Sequence, residues 1–561
     1  MRSLRLEPRL VLLFAFSAFA LAPLTAPGYF IYGHDARHSV YFLQMFDLSM
    51  RDGAWYPRWA TDMVFGYGYP LWLILAPLPF FIGQAFHLLG FDFVSAVKLV
   101  DGLALFFSSL TMYLYASRVL NKNAALVAAV AYAYVPYHLI DLYVRSAQAE
   151  LVSFVFPPLV LWAFHQLAVT RQTRYVPIAA LSYAGLVLAH ISMAVIFTPI
   201  IGLYLILLFY SARSTHSHWR FALDSFGAIA LALGIAAVFL LPVLAEQKYL
   251  TSDPLIGGFF NYRKHFVSAS QLLSPFWGYG YAGENGNDQF SLQLGLVPVL
   301  LAGVGLWAWK VVDRTIRWHM AFFALVVAAL VLAMLPVSAG LWEPFAAVVA
   351  FVQFPWRLLI VAGFALAFLC GTAVYSLVEG ERDFLPALVI ALMFVVAGYK
   401  YTEPQHTEAV FNYQTQMEFE VKDRELLGDT IWMTGERPQD SPLVEQYLRG
   451  EALQKAIALD DGVRVEMLKH GGQSEEIHVQ AASPARVMFY TRYFPGWVAA
   501  IDGKTQPLEP YGDQGLILVN VPAGSHVVRI RYEGTTLQQA GAIISGLCFL
   551  AALAWIVKSS V

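Results

Sequence analysis

The sequence predicts a polytopic α-helical membrane protein of about twelve spans, with a β-sandwich-like domain placed before the last span. Three observations predict it. Of 561 residues, 58% are hydrophobic and 13% are charged, with a mean hydropathy of +0.57; a soluble globular chain would be about 25% charged. The charges are segregated, because 32 of the 75 lie between Tyr401 and Gly534. The remainder of the chain resolves into apolar runs of about 20 residues, the length that crosses a bilayer.

Those runs fall near 10–27, 97–118, 124–140, 150–169, 175–190, 192–211, 221–244, 291–309, 319–337, 356–377, 384–400 and 537–557. One more run, 70–90, contains Pro70, Pro77 and Pro79 in an aromatic setting. Charge decides whether it crosses, since Lys and Arg favour the cytoplasmic side of short loops. Arg2, Arg5 and Arg9 place the N-terminus inside. The loops carrying Arg118/Lys122, Arg171/Arg174, Arg213/Arg220 and Lys310/Arg314/Arg317, and also Lys558, then all fall inside only if 70–90 stays outside as a broken interfacial hairpin. The first run has a basic start and the small residues Ala20 and Ala22, as a signal peptide would, but Pro23 directly after them favours a retained helix.

The predicted organisation follows. Residues 1–400 form the membrane domain, with a long first outer loop at 28–96. Residues 401–534 form an extracytoplasmic, mostly-β domain, and 535–561 return to the membrane. The protein is expected in the cell membrane as a multi-pass protein with both termini cytoplasmic. Within the outer domain, Val463, Val465 and Met467 alternate with polar residues, as do Ile477 and Val479. Ala485–Tyr490 and Val527–Tyr532 are further strand signals. Asp502-Gly503 and Pro522-Ala523-Gly524 are turns between strands. Such a series reads as an antiparallel sandwich. It serves either as a structural cap or as a carbohydrate-binding element.

The net charge of −3 gives no basic face for nucleic acid. Cys370 and Cys548 both lie in apolar runs, so no disulfide framework is expected. There is no Walker sequence, dinucleotide fingerprint, metalloprotease motif or inverted transporter repeat.

Chemistry is sought where the bilayer makes polar groups expensive. The first outer loop opens with His34, Asp35, Arg37 and His38. Asp35 is a candidate general base on an acceptor hydroxyl; the alternative is an N-cap for the following helix. A divalent metal is the one cofactor candidate, through His34, Asp35 and His38, but two His at i, i+4 is a weak signal. The second short outer loop packs Asp141, Arg145 and Glu150 between two apolar runs. The planar, permanently charged fork of Arg145 suits a phosphate, and Glu150 suits a helix start. His190 lies between two runs on the outer side, and Phe354-Pro355-Trp356-Arg357 opens another. Arg357 either holds a phosphate or snorkels to lipid headgroups. The loop 245–290 carries Glu246, Lys248, Asp253, Arg263, Lys264, Glu284 and Asp288 and has the length of a lid.

Three stretches carry a family resemblance. The first is Trp55-Tyr56-Pro57-Arg58-Trp59, with Phe65-Gly66-Tyr67-Gly68-Tyr69-Pro70-Leu71, Pro77-Leu78-Pro79 and Leu89-Gly90. The second is Phe354-Pro355-Trp356-Arg357. The third is Tyr493-Phe494-Pro495-Gly496-Trp497, with Asp502-Gly503-Lys504 and Val521 to His526. Together they resemble prokaryotic membrane proteins named "6-pyruvoyl-tetrahydropterin synthase-related" and the neighbouring YfhO-type family, over nearly the whole chain. These resemble in turn the GT-C superfamily of glycosyltransferases. That resemblance implies many spans, a long first outer loop with interfacial helices and a catalytic acid just after the first span, which Asp35 matches. It often implies a second acid in the next outer loop, which either Asp141 or Glu150 matches. It implies a polyprenyl-phosphate-linked sugar as donor and a glycan, lipid or protein as acceptor, with His34, Arg145, His190 and Arg357 as substrate-binding candidates. The rival expectation is a non-catalytic membrane scaffold or a lipid or glycan carrier.

Overall fold

A computed structural model describes residues 7–30, 32–211, 218–251, 257–377, 384–407, 409–423 and 429–560. Arg2, Arg5, Arg213 and Asp253, used above, lie outside the described residues. Among the described residues, eight helices are long and apolar enough to cross a bilayer. They are Pro8–Thr25, Phe93–Val119, Gln148–Thr170, Ile191–Ser211, Arg314–Met334, Pro355–Leu377, Leu385–Thr402 and Thr536–Ser559. Two bent pairs raise the number to ten: Lys122–Tyr134 with Pro136–Arg145, at 44°, and His218–Ile235 with Ala237–Tyr249, at 72°.

By length and apolar composition the described helices give eight to ten spans, and the count of twelve is not confirmed. The runs at 175–190 and 291–309 form shorter apolar helices, Tyr175–Ala189 and Leu296–Lys310. Fifteen residues rise only about 22 Å, against a hydrocarbon core of about 30 Å. The backbone shows why they stop short. His190 turns extended, with φ −162° and ψ 115°. The second run begins extended and turns into its helix only past Gly295, whose φ is +88°. The 70–90 run is also broken, into Leu71–Ile74 and Leu78–Leu88. An 11-residue helix reaches about 16 Å and does not span.

Each bend has a local cause. Val135 precedes Pro136 and takes the extended geometry that proline imposes, with ψ 136°. At the 72° bend, Pro242 has no N–H to offer the Val238 carbonyl four residues back. Arg58, from the segment 28–96, donates to that carbonyl instead, at 2.7 Å. Ser545 of the last span fills the break from the other side, accepting from Val238 N and donating to Ile235 O, both at 2.7 Å. Backbone groups inside a bilayer need such partners.

The C-terminal region is β. Its strands are β1 (Ala456–Ala458), β2 (Arg464–His470), β3 (Ser474–Ala481), β4 (Ala485–Arg492), β5 (Trp497–Ile501), β6 (Lys504–Gln506), β7 (Glu509–Tyr511), β8 (Leu516–Val521) and β9 (Gly524–Tyr532). They pair antiparallel as β1-β4-β8-β7 and β2-β3-β9-β5-β6. Asp502 and Gly503 both have positive φ, 48° and 78°, as the tight turn between β5 and β6 requires. Alternate residues from both sheets, including Ile477, Val487, Phe489, Ile517 and Ile530, meet in one buried core.

That core does not belong to the sheets alone. Phe46, Trp59, Tyr69 and Trp72 of the segment 28–96 are buried in it. Polar groups lock the same junction. His470 bonds Asp62 through Nε2 (3.0 Å) and Glu475 through Nδ1 (2.9 Å). Tyr447 also donates to Asp62, and the buried Lys455 donates to the Gly66 carbonyl. Lys469, Gln473 N and Ser474 all donate to Asp52.

Candidate functional site

The segment after the first apolar helix is docked by backbone onto the segment 141–150. After Tyr29, which bridges Thr407, the chain turns so that His34 N donates to Val144 O (3.2 Å) and Asp35 N donates to Arg145 O (2.8 Å). A Cβ on Gly33 would collide with Ser146 Oγ, so only glycine permits this approach. Asp35 occupies the N-cap position of the helix Ala36–Arg51, yet its side chain makes no capping bond. It is exposed, and among the described residues no hydrogen bond or ion pair engages its carboxylate. The capping alternative for Asp35 does not match this geometry.

His34 bonds the Gly280 carbonyl through Nε2 (2.9 Å), stacks on Tyr281 (4.8 Å between ring centres) and meets the edge of Phe290 (5.3 Å). The carbonyl accepts, so Nε2 carries the proton. The segment 279–290 of the long loop thus reaches over the Asp35 turn. His38 packs instead against Phe42 and Phe419. Among the described residues no group of three or more His, Cys, Asp or Glu is arranged to hold a metal ion. His34, Asp35 and His38 do not form the ligand set considered above.

The second loop carries a compact charged cluster. Asp141–Arg145 forms one π-helical turn, Ser146 is left-handed with φ 52°, and a new helix starts at Gln148. Such wide turns are frequent at functional sites. Arg145 pairs with Asp141 and, at 2.9 Å, with Glu150. Tyr137 donates its hydroxyl proton to Glu150 (2.6 Å) and accepts from Arg145 (3.1 Å). The Arg145 guanidinium lies 4.9 Å from the centre of the Trp356 ring. Arg357 reaches Glu150 from the other side, Nε to Oε2 at 3.3 Å. Its Nη1 donates to Val352 O (3.0 Å) and Gln353 Oε1 (2.6 Å).

Asp141, Arg145, Glu150 and Arg357 are all buried, at 0, 3, 1 and 8% exposure. Two carboxylates and two guanidiniums balance, which is how charges persist in such a place. Arg145 is enclosed by both acids, a tyrosine hydroxyl and an indole face. Arg357 keeps Nη2 without a hydrogen bond among the described residues and does not lie along the lipid as a snorkelling side chain would. His190 caps Tyr175–Ala189, accepts weakly from Met193 N at Nδ1 (3.4 Å), and lies close enough to Arg357 and Glu150 to feel their charges. Arg145 likewise feels the charge of Asp35. The spacing left Asp141 and Glu150 as equals; in space Glu150 touches both arginines and Asp141 only Arg145.

Three polar residues beside this site were missed from sequence. Tyr137 lies inside an apolar run, and only its contacts reveal it. Asp101 and Gln148 are different, because Asp101 is an acid within the apolar run 97–118. An ionisable residue at that depth is itself a signal.

Residues 75–245 match the family described as "Dolichyl-phosphate-mannose-protein mannosyltransferase". An uncharacterized protein of Lactococcus lactis subsp. cremoris is 22% identical over 205 residues, covering 36% of this chain and 33% of that one. Among solved structures, the mycobacterial arabinofuranosyltransferase AftD aligns at 15% identity with a TM-score of 0.47, over 78% of this chain and 31% of that one. The apo oligosaccharyltransferase of Archaeoglobus fulgidus aligns at 13% identity with a TM-score of 0.44, over 80% and 60%. The chain thus spans about a third of the length of the first relatives it matches.

Proposed function

We propose that this protein is an integral membrane glycosyltransferase of GT-C type. It moves a sugar from a polyprenyl-phosphate donor to an acceptor hydroxyl of a glycan, lipid or protein. The site lies on the outer face, with both termini cytoplasmic and residues 401–534 extracytoplasmic. One observation carries the reading: an exposed, unengaged Asp35 carboxylate is fastened by its backbone to the loop that holds a buried Arg145–Glu150–Arg357 cluster. The mannosyltransferase match over 75–245 supports it and adds the lipid-phosphate class of donor.

In this mechanism Asp35 takes the proton of the acceptor hydroxyl. The oxygen attacks the anomeric carbon, the carbon–oxygen bond to phosphate breaks, and polyprenyl phosphate leaves with the bonding pair. Charge grows on that phosphate, and Arg357 meets it through Nη2. Preorganised charge of this kind is usually the largest catalytic term. Glu150 and Asp141 hold the two guanidiniums in place, and Arg145 supports Glu150. A single displacement inverts the anomeric centre. The β domain, locked to the first outer loop, fixes the frame that carries Asp35.

The test is direct. Purified full-length protein is incubated with a panel of polyprenyl-phosphate-linked sugars, and release of polyprenyl phosphate is followed. Release that depends on Arg357 is expected. No release from any donor would remove the reading.

A further inference from the structure

Asp101 is a buried carboxylate that the proposed reaction does not use. It lies two turns inside the span-length helix Phe93–Val119 and is 2% exposed. A carboxylate at that depth is costly. Among the described residues its hydrogen-bond partners are two neutral donors, the Tyr29 hydroxyl at 3.3 Å on Oδ2 and the Gln148 amide at 3.1 Å on Oδ1. They come from different parts of the chain. Tyr29 leads into the Asp35 turn, and Gln148 opens the short helix that carries Glu150. The same two segments meet again through His34 N to Val144 O and Asp35 N to Arg145 O. Two donors converging from two segments need two acceptor oxygens on one short side chain. An ionised aspartate offers them, whereas an asparagine would turn its amide against one donor.

We infer that Asp101 is a positioning residue. It ties the Asp35 segment and the Glu150 helix to one membrane helix and so sets the spacing between the candidate base and the arginine cluster. Its consequence for transfer rests on the glycosyltransferase reading; the clamp itself does not.

Cross-linking tests it without any substrate. In full-length protein lacking Cys370 and Cys548, His34→Cys with Val144→Cys places two thiols where the segments are backbone-bonded. The rate of oxidative disulfide formation in membranes reports their docking. Asp101→Asn should slow it about fivefold, the effect of one buried hydrogen bond. Tyr29→Phe removes the other arm and should act similarly, which keeps the test alive if Asp101→Asn does not fold. Gln148 Nε2 also donates to Val97 O (3.2 Å), so the exchange Asp101→Asn with Gln148→Glu should recover part of the lost rate, the introduced carboxylate accepting from the introduced amide while the Val97 bond stays lost. A general loss of packing would not be repaired in this way. Parental rates in both single variants, or an exchange no better than Asp101→Asn alone, would overturn the clamp. A protein that clamps as described but releases no polyprenyl phosphate would defeat the glycosyltransferase reading instead.

Discussion

Asp35→Asn and Asp35→Ala separate catalysis from capping because the structure gives the two roles different magnitudes. Loss of a working N-cap costs about 1 kcal/mol, and asparagine caps as well as aspartate. Here the cap bond is absent, the side chain is exposed and its carboxylate has no partner among the described residues. Both substitutions should therefore change stability by less than about 0.5 kcal/mol. The Asp35 N–H bond to Arg145 O persists in either variant, since it is backbone. Loss of a general base costs about 10²–10⁴ in rate, or about 3–5 kcal/mol of barrier at 1.36 kcal/mol per decade. The expected pattern is equal collapse of polyprenyl phosphate release in both variants, with unfolding temperatures unmoved. The assay pairs a release time course with thermal unfolding in detergent. Release within about threefold of the parent in Asp35→Asn would refute the role. An unfolding temperature lowered in Asp35→Ala but not in Asp35→Asn would return Asp35 to the helix cap.

Other outcomes follow from named contacts. Arg357→Lys keeps the charge but has one nitrogen where the guanidinium serves Glu150, Val352 O and Gln353; polyprenyl monophosphate affinity should fall about tenfold or more, and equal affinity would end the phosphate role. Burial alone would lower the His470 pKa, but Glu475 and Asp62 outweigh it and raise it from 6.5 to about 10. Its stabilising contribution is then complete below about pH 6.5 and lost as pH rises through about 10. His470→Gln should flatten the fall of unfolding temperature between those limits, and an unchanged slope would show that the His470 contact is not titrating. Leu89→Cys, at a position 75% exposed, should react with an impermeant thiol reagent from outside in protein lacking Cys370 and Cys548. Labelling only from the cytoplasm would reverse the proposed orientation.

Composition and periodicity were enough for the membrane class, for the positions of the apolar helices and for the strand-rich region before the last helix. These properties are local. A 20-residue apolar stretch needs no partner to prefer lipid, and alternation along a strand needs only one buried face. At 175–190 and 291–309 the hydropathy outlasts the helix, because the backbone turns extended at His190 and takes positive φ at Gly295. Tertiary structure alone decided how the charged residues combine. Asp141, Arg145, Glu150 and Arg357 come from two stretches about 200 residues apart, and no spacing rule joins them. Their meeting depends on the π-turn, the left-handed Ser146 and the Phe354-Pro355 corner acting together. Arg58 makes the same point. In the sequence it is one letter of an aromatic motif, and in space it repairs the carbonyl that Pro242 leaves open. A single buried partner can come from anywhere in the chain, so the sequence holds the residues but only the packed helices show which donor meets which acceptor.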